Sequence, residues 1–213
     1  MSDDDRTDRP AATPAGTDRV DLAPAAERVA AVLAGITDDQ LAARTPCEKY
    51  TVGALLDHFM GLTTAFRHAA GKTAPPGPRE PGATGPGPVS AEALDPAWRE
   101  ELPRRLDALV AAWREPGAFE GVTEVGGVTL PASVIAVFGL DELVLHGWDL
   151  ARATGQPYQP DPASVRAIFR VLAESASDEG TEGLFGPKVD VPPDAPLFDR
   201  ALGLSGRDPS WTP

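Results

Sequence analysis

Glu142 and His146 stand four residues apart in the stretch Ile135 to Leu150, whose other residues are mostly large and apolar. On a helix that spacing stacks carboxylate over imidazole, one turn apart. A glutamate in a helix apolar enough to be buried on every side is tolerated only when it is paired or bound to a metal. At one hundred degrees per residue, Ile135, Phe138, Glu142, His146 and Asp149 share one face. The chain has only three histidines, so the search for a partner is short. His58 falls on the edge of the apolar stripe of another helix. His68, ten residues further on, leaves that face near the helix end and reads as a solvated residue of the last turn. His58, Glu142 and His146 together offer two imidazoles and a carboxylate, a set that a tetrahedral divalent ion such as zinc accepts with a fourth position open to water or substrate. Helical bundles build such sites from facing helices. From the residues alone, a buried Glu142–His146 hydrogen bond without a metal is the alternative. Asp149 either orients a liganding imidazole from behind or pairs with Arg152 at the helix surface. Cys47, the one cysteine, has no neighbouring cation visible and reads as a small buried apolar residue, with nucleophile or ligand as the alternative.

The elements that must position these groups are legible from periodicity. Leu22, Ala25, Ala26, Val29, Val32, Leu33 and Ile36 form one helical stripe, with Asp21 as cap and Pro24 in the first turn. Thr51 caps a second helix carrying Val52, Leu55, Leu56, Phe59, Leu62 and Phe66 and ending near Gly71. A third helix starts near Ser90 or Pro96, carries Leu102, Leu106, Leu109, Val110 and Trp113, and stops at Pro116-Gly117, with Pro103 marking a kink or a late start. Val122 to Val125 and Val128 to Leu130 flank Gly126-Gly127 as a hairpin with a two-residue turn. A fourth helix follows, with Pro131 in its first turn, and runs to about Thr154 before Gly155. A fifth spans Pro162 to about Ser177, and a short one holds Leu197, Phe198, Ala201 and Leu202. Residues 1–18, rich in Asp, Pro and Thr, read as a disordered tail. The Pro- and Gly-crowded stretch 72–89 reads as a flexible loop or lid. The domain proper is then 19–213.

Composition removes whole classes of function. The 213 residues suffice for one domain with a real core, and the net charge is −13, with a pI near 4.6. Such a field repels nucleic acid and anionic membranes. No charged start with an apolar core follows the signal-peptide pattern, and no apolar run reaches the ~18 residues a membrane span needs. A cytoplasmic protein is expected, with a small molecule as partner and a homodimer as the assembly open to it.

Two segments together carry a family resemblance: Thr45-Pro46-Cys47 followed by Thr51-Val52-Gly53-Ala54-Leu55-Leu56-Asp57-His58, and Glu142-Leu143-Val144-Leu145-His146-Gly147-Trp148-Asp149-Leu150-Ala151. They resemble the DinB-like helical-bundle superfamily, and within it the actinobacterial branch related to mycothiol-dependent maleylpyruvate isomerase. The ending Gly206-Arg207-Asp208-Pro209-Ser210-Trp211 is similar to a subgroup of that branch known only as metal-binding proteins. The resemblance implies an all-α fold: an antiparallel four-helix bundle with a small β-hairpin and additional C-terminal helices. It also implies a divalent ion, zinc by preference with nickel an alternative, held by His58, Glu142 and His146. In mycothiol-dependent members the thiol is thought to occupy the open metal position as thiolate. The implied activity is an S-transferase or isomerase acting on a small electrophile. Two departures stand out. Tyr50 occupies a position where the family commonly has Trp, and the isomerase carries an extra C-terminal domain for which this chain looks too short, so maleylpyruvate isomerisation itself is not carried over. A hydrolase or lyase using metal-bound water, and a non-catalytic metal- or small-molecule-binding module, are the competing expectations.

Overall fold

The computed structural model describes residues 19–73, 88–180 and 185–213. The expected tail at 1–18 and most of the expected loop at 72–89 lie outside the described residues. Four long helices form the body: α1 (Ala23–Ala34), α2 (Val52–Ala70), α3 (Trp98–Arg114) and α4 (Ala132–Ala153). Helices α1 and α2 each pack on both α3 and α4, so the four close into a bundle around one core. Between α3 and α4 lies an antiparallel hairpin of β1 (Val122–Val125) and β2 (Val128–Pro131), with Val125 opposite Val128. Gly126 and Gly127 have φ of 60° and 81°, the left-handed pair that a tight two-residue hairpin turn demands. Helices α5 (Pro162–Ser175) and α6 (Leu197–Leu204) pack on each other, and α5 lies against α4.

Local chemistry sets the boundaries. The Thr51 hydroxyl accepts from the Ala54 amide and starts α2, and Asp161 caps α5 by accepting from Ala163 and Ser164. Asp21 accepts from the Ala23 amide, one residue ahead of the first helical turn. Three expectations shift. Helix α1 ends at Ala34 instead of reaching Ile36, which stays buried beyond it. Helix α3 begins at Trp98, and the region of Ser90 forms its own 3₁₀ turn at Ala91–Ala93. Pro103 sits inside α3 without ending it. Pro131 is paired with Val122 at the end of β2 and so stands just before α4, not within its first turn.

Helix α4 is the axis of the molecule. Leu140, Leu143, Val144, Leu145, Trp148 and Leu150 are all buried, on every side of it, as a helix apolar around most of its circumference requires. They meet Leu55, Leu56 and Phe59 of α2, Val29 of α1 and Ile168 of α5 in one continuous core.

The C-terminal segment is fastened by backbone contacts that exclude side chains. The Val189 amide donates to the Gly203 carbonyl at 2.9 Å. A Cβ on Gly203 would come within 2.6 Å of the Val189 carbonyl oxygen, and one on Gly206, whose φ is 81°, within 2.8 Å of the Gly186 backbone. Gly206→Ala and Gly203→Ala are therefore expected to destabilise by about 1–3 kcal/mol through clash and backbone strain. Gly61, exposed on α2 with nothing near its absent Cβ, should behave oppositely, Gly61→Ala gaining up to about 1 kcal/mol of helix propensity. Urea unfolding of the three variants measures both signs, and a stable Gly206→Ala protein would contradict the packing described.

Candidate metal centre

The segment before α2 shapes one wall of the site. The Thr45 hydroxyl lies 2.9 Å from the Cys47 carbonyl and 2.8 Å from that of Tyr50, and the Val52 amide returns to the Ala43 carbonyl at 3.0 Å. This closed turn places the Tyr50 ring over His58, with centroids 5.3 Å apart and planes inclined by 20°. Helix α2 then carries His58 inward, where 6% of it remains exposed.

Helix α4 supplies the facing wall. The His58 Nε2 atom lies 3.1 Å from Glu142 Oε2, and the His146 Nε2 atom lies 3.2 Å from the same oxygen. The two imidazole rings stand nearly perpendicular, at 82°, with centroids 5.1 Å apart. The three donor atoms lie within 4.8 Å of one another. In a tetrahedral zinc site with ligands at about 2.0–2.1 Å, neighbouring donors are roughly 3.3 Å apart, and the two measured separations match that edge. The residues present therefore fit a divalent ion. The site opens on the carboxylate side, where the Glu142 side chain keeps 30% of its exposure against 7% for His58 and 11% for His146.

Behind His146 is a second set of contacts. Its Nδ1 atom is 2.8 Å from Asp149 Oδ2, a separation that only an Nδ1–H donating to the carboxylate explains, so Nε2 is the atom left to face Glu142 and His58. Asp149 is fully buried and also accepts from Arg207, at 2.9 Å from Nε to Oδ1 and 2.8 Å from Nη2 to Oδ2. Of the two roles expected for Asp149, the structure realises the one behind the imidazole. Arg152 turns instead to the Trp211 carbonyl and stacks over Trp148.

Cys47 is half-buried, and its sulfur lies within 4.8 Å of donor atoms of both His146 and Asp149. The expectation that no cation neighbours it is corrected: burial pushes its thiol pKa up, and the Arg207 charge works against that rise. That trio is no second cation site, because the Arg207 guanidinium already holds both oxygens of Asp149. His68 lies in the last turn of α2, its Nδ1 2.8 Å from the Thr73 hydroxyl, away from the centre as expected.

Two participants escaped the sequence. Arg207 was visible only as part of a terminal motif; the signal was Asp149, a carboxylate on a buried face that requires a cation, but one among 19 Lys and Arg residues. Asp141 sits beside Glu142 with 7% exposure, and its buried Oδ1 has no hydrogen-bond partner among the described residues. Burial, with the adjoining Glu142 charge, pushes its pKa up to about 7.

The electrostatics set a pH dependence for the metal-free protein. Burial opposes charge on His146, but the Asp149 and Glu142 carboxylates outweigh it and push the imidazole up to about 9. Burial would likewise raise Glu142, yet hydrogen bonds from His146 and His58 hold it well below the usual carboxylate range. A raised imidazole stabilises the fold fully below its unfolded value of 6.5, and that contribution is lost as pH rises through about 9. A raised carboxyl has the same slope: Asp141 begins to cost stability above 3.8, with the full cost reached above about 7. Chelator-treated protein is thus expected to lose stability between about pH 5 and about pH 9 in urea titrations, and Asp141→Asn to flatten the lower half of that slope. A profile rising with pH would contradict this assignment of charges.

Comparison with known proteins places the arrangement in a lineage. Two uncharacterized proteins of Mycobacterium tuberculosis are each 28% identical to the chain over 187 residues, covering 86% of it and 93% of their own length. The crystal structure of the mycothiol-dependent maleylpyruvate isomerase shares the fold with a TM-score of 0.53 at 17% identity, covering 74% of this chain and 72% of that one, and a mutant of that enzyme matches at 0.52. Residues 22–151 match the family described as the mycothiol maleylpyruvate isomerase N-terminal domain. That span contains His58, Glu142, His146 and Asp149 and stops short of Arg207. The chain belongs to the mycothiol maleylpyruvate isomerase N-terminal domain family.

Proposed function

We propose that the protein is a divalent-metal enzyme of the cytoplasm that uses mycothiol or a similar small thiol to transform a small electrophile, as an S-transferase or isomerase. His58, Glu142 and His146 would hold the ion, zinc by preference. The observation that carries this reading is the convergence of two imidazole Nε2 atoms on one carboxylate oxygen, at 3.1 and 3.2 Å, with the other nitrogen of His146 already committed to Asp149. A zinc ion in such a set acts as a Lewis acid that makes a coordinated thiol or water available as a nucleophile near neutral pH.

The protein's own residues account for the rest. Asp149 keeps the His146 tautomer that presents a lone pair to the ion. Tyr50, stacked on His58, covers one side of the ligand set and limits the approach of water there. Glu142, the most exposed of the three groups, would leave the approach for a small thiol and its electrophile on its own side. Family membership supports the choice of thiol over water, since the family takes its description from a mycothiol-dependent enzyme.

Purified protein is expected to contain one equivalent of divalent metal by elemental analysis, and His58→Ala to lose most of it while remaining helical. Unchanged metal content in that variant would break the ligand set. Cobalt-substituted protein titrated with mycothiol should change its visible spectrum, and S-conjugation of small electrophiles should depend on the thiol. A spectrum indifferent to thiol, with hydrolysis independent of it, would favour a nucleophile derived from water.

A further inference from the structure

Arg207 contributes no ligand, yet its side chain ends beside one. It follows α6 through Gly206, whose φ of 81° reverses the chain, and its own amide donates to the Leu202 carbonyl at 2.9 Å. Only 7% of Arg207 is exposed. Its guanidinium grips Asp149 side-on, Nε to Oδ1 at 2.9 Å and Nη2 to Oδ2 at 2.8 Å, while Nη1 donates to the Ser205 hydroxyl at 3.1 Å. Every guanidinium nitrogen is thereby engaged, and the carboxylate plane of Asp149 is fixed at both oxygens.

We propose that Arg207 is a positioning residue of the metal centre, clamping Asp149 so that the His146 ring keeps its Nε2 lone pair aimed between His58 and Glu142. The inference rests on the metal-centre reading above. Three features of the geometry support it. The Asp149 oxygen that takes His146 Nδ1–H is the one held by Nη2. Arg207 Nη2 also lies 3.3 Å from His146 Nδ1. A guanidinium has only donors, so this contact sets the Arg207 charge beside the ring, while the shorter hydrogen bond from Nδ1–H to Asp149 fixes the tautomer. A lysine could supply the charge but not the planar fork that fixes both oxygens. The family match ends at residue 151, so the centre is completed by a segment outside the span that defines the family.

The test compares the full-length wild type with Arg207→Met, Arg207→Lys and Asp149→Asn. Zinc affinity is read by competition with a chromophoric chelator, coordination by the visible absorption of the cobalt forms, and folding by circular dichroism and melting of the metal-free proteins. Groups that orient a liganding histidine typically account for 10- to 100-fold in metal affinity. About that loss is expected for Arg207→Met and Asp149→Asn, with a shifted cobalt band, and a smaller loss for Arg207→Lys. A merely structural arginine would lower the melting temperature while leaving the cobalt band of the folded protein in place. Should Arg207→Met not fold, Arg207→Lys decides: wild-type zinc affinity together with a wild-type cobalt spectrum overturns the proposal. Wild-type protein that binds neither zinc nor cobalt overturns the metal-centre reading, and the proposal with it.

Discussion

Everything in this molecule depends on the solvation problem of α4. The helix runs through the middle of the core, yet it carries Asp141, Glu142, His146 and Asp149 within nine residues of sequence. Leaving one partner of a buried ion pair uncompensated costs about 3–5 kcal/mol, while a domain is stable by only ~5–15 kcal/mol in all. The fold must therefore bring counter-charges to the helix from elsewhere. Partners come from two directions: His58 arrives on α2 to hydrogen-bond Glu142, and the Arg207 charge arrives from beyond α6 to meet Asp149. His146 lies between the two carboxylates and joins both pairs into one network.

The candidate metal centre and the neutralisation of α4 are thus built from the same residues. Without an ion, a proton on His146 does the electrostatic work between Glu142 and Asp149, which is why its pKa is lifted to about 9. A divalent cation would replace that proton at the same point between the same groups. Asp141 is the exception. Its Oδ1 has no hydrogen-bond partner among the described residues, and burial with the adjoining Glu142 charge outweighs the pull of Arg207 and His146 and pushes its pKa up to about 7.

Much of this was written in local sequence. The stripes of α1, α2 and α5, the Gly126-Gly127 hairpin and the all-round apolar character of α4 follow from periodicity and turn chemistry. The i, i+4 pair of Glu142 and His146, and the small number of histidines, identified the candidate ligands. What failed to appear was anything set by contact between distant segments. Arg207 bonds to a residue 58 positions away, and no periodicity encodes which arginine a buried carboxylate will meet. The end of α1 and the placement of Pro131 within the hairpin depend on tertiary packing and strand pairing, which override local propensity, while α3 starts close to Pro96, one of the two positions expected. The cation beside Cys47 was missed for the same reason: Arg207 lies at the other end of the chain.

The span of these pairings bears on the order in which the molecule is made. Helices and the hairpin form from neighbours in sequence, but the His58–Glu142 contact closes 84 residues and the Arg207–Asp149 contact a further 58. Contacts that close long loops meet their entropic cost before they return any energy, and they form late. Both closures therefore belong to the late steps of folding, after the helices and the hairpin have formed from their neighbours. The polar face of α4 is thus matched only when α2 from one side of the sequence and the C-terminal segment from the other have both reached it, so its buried charges stay in contact with water until the final packing.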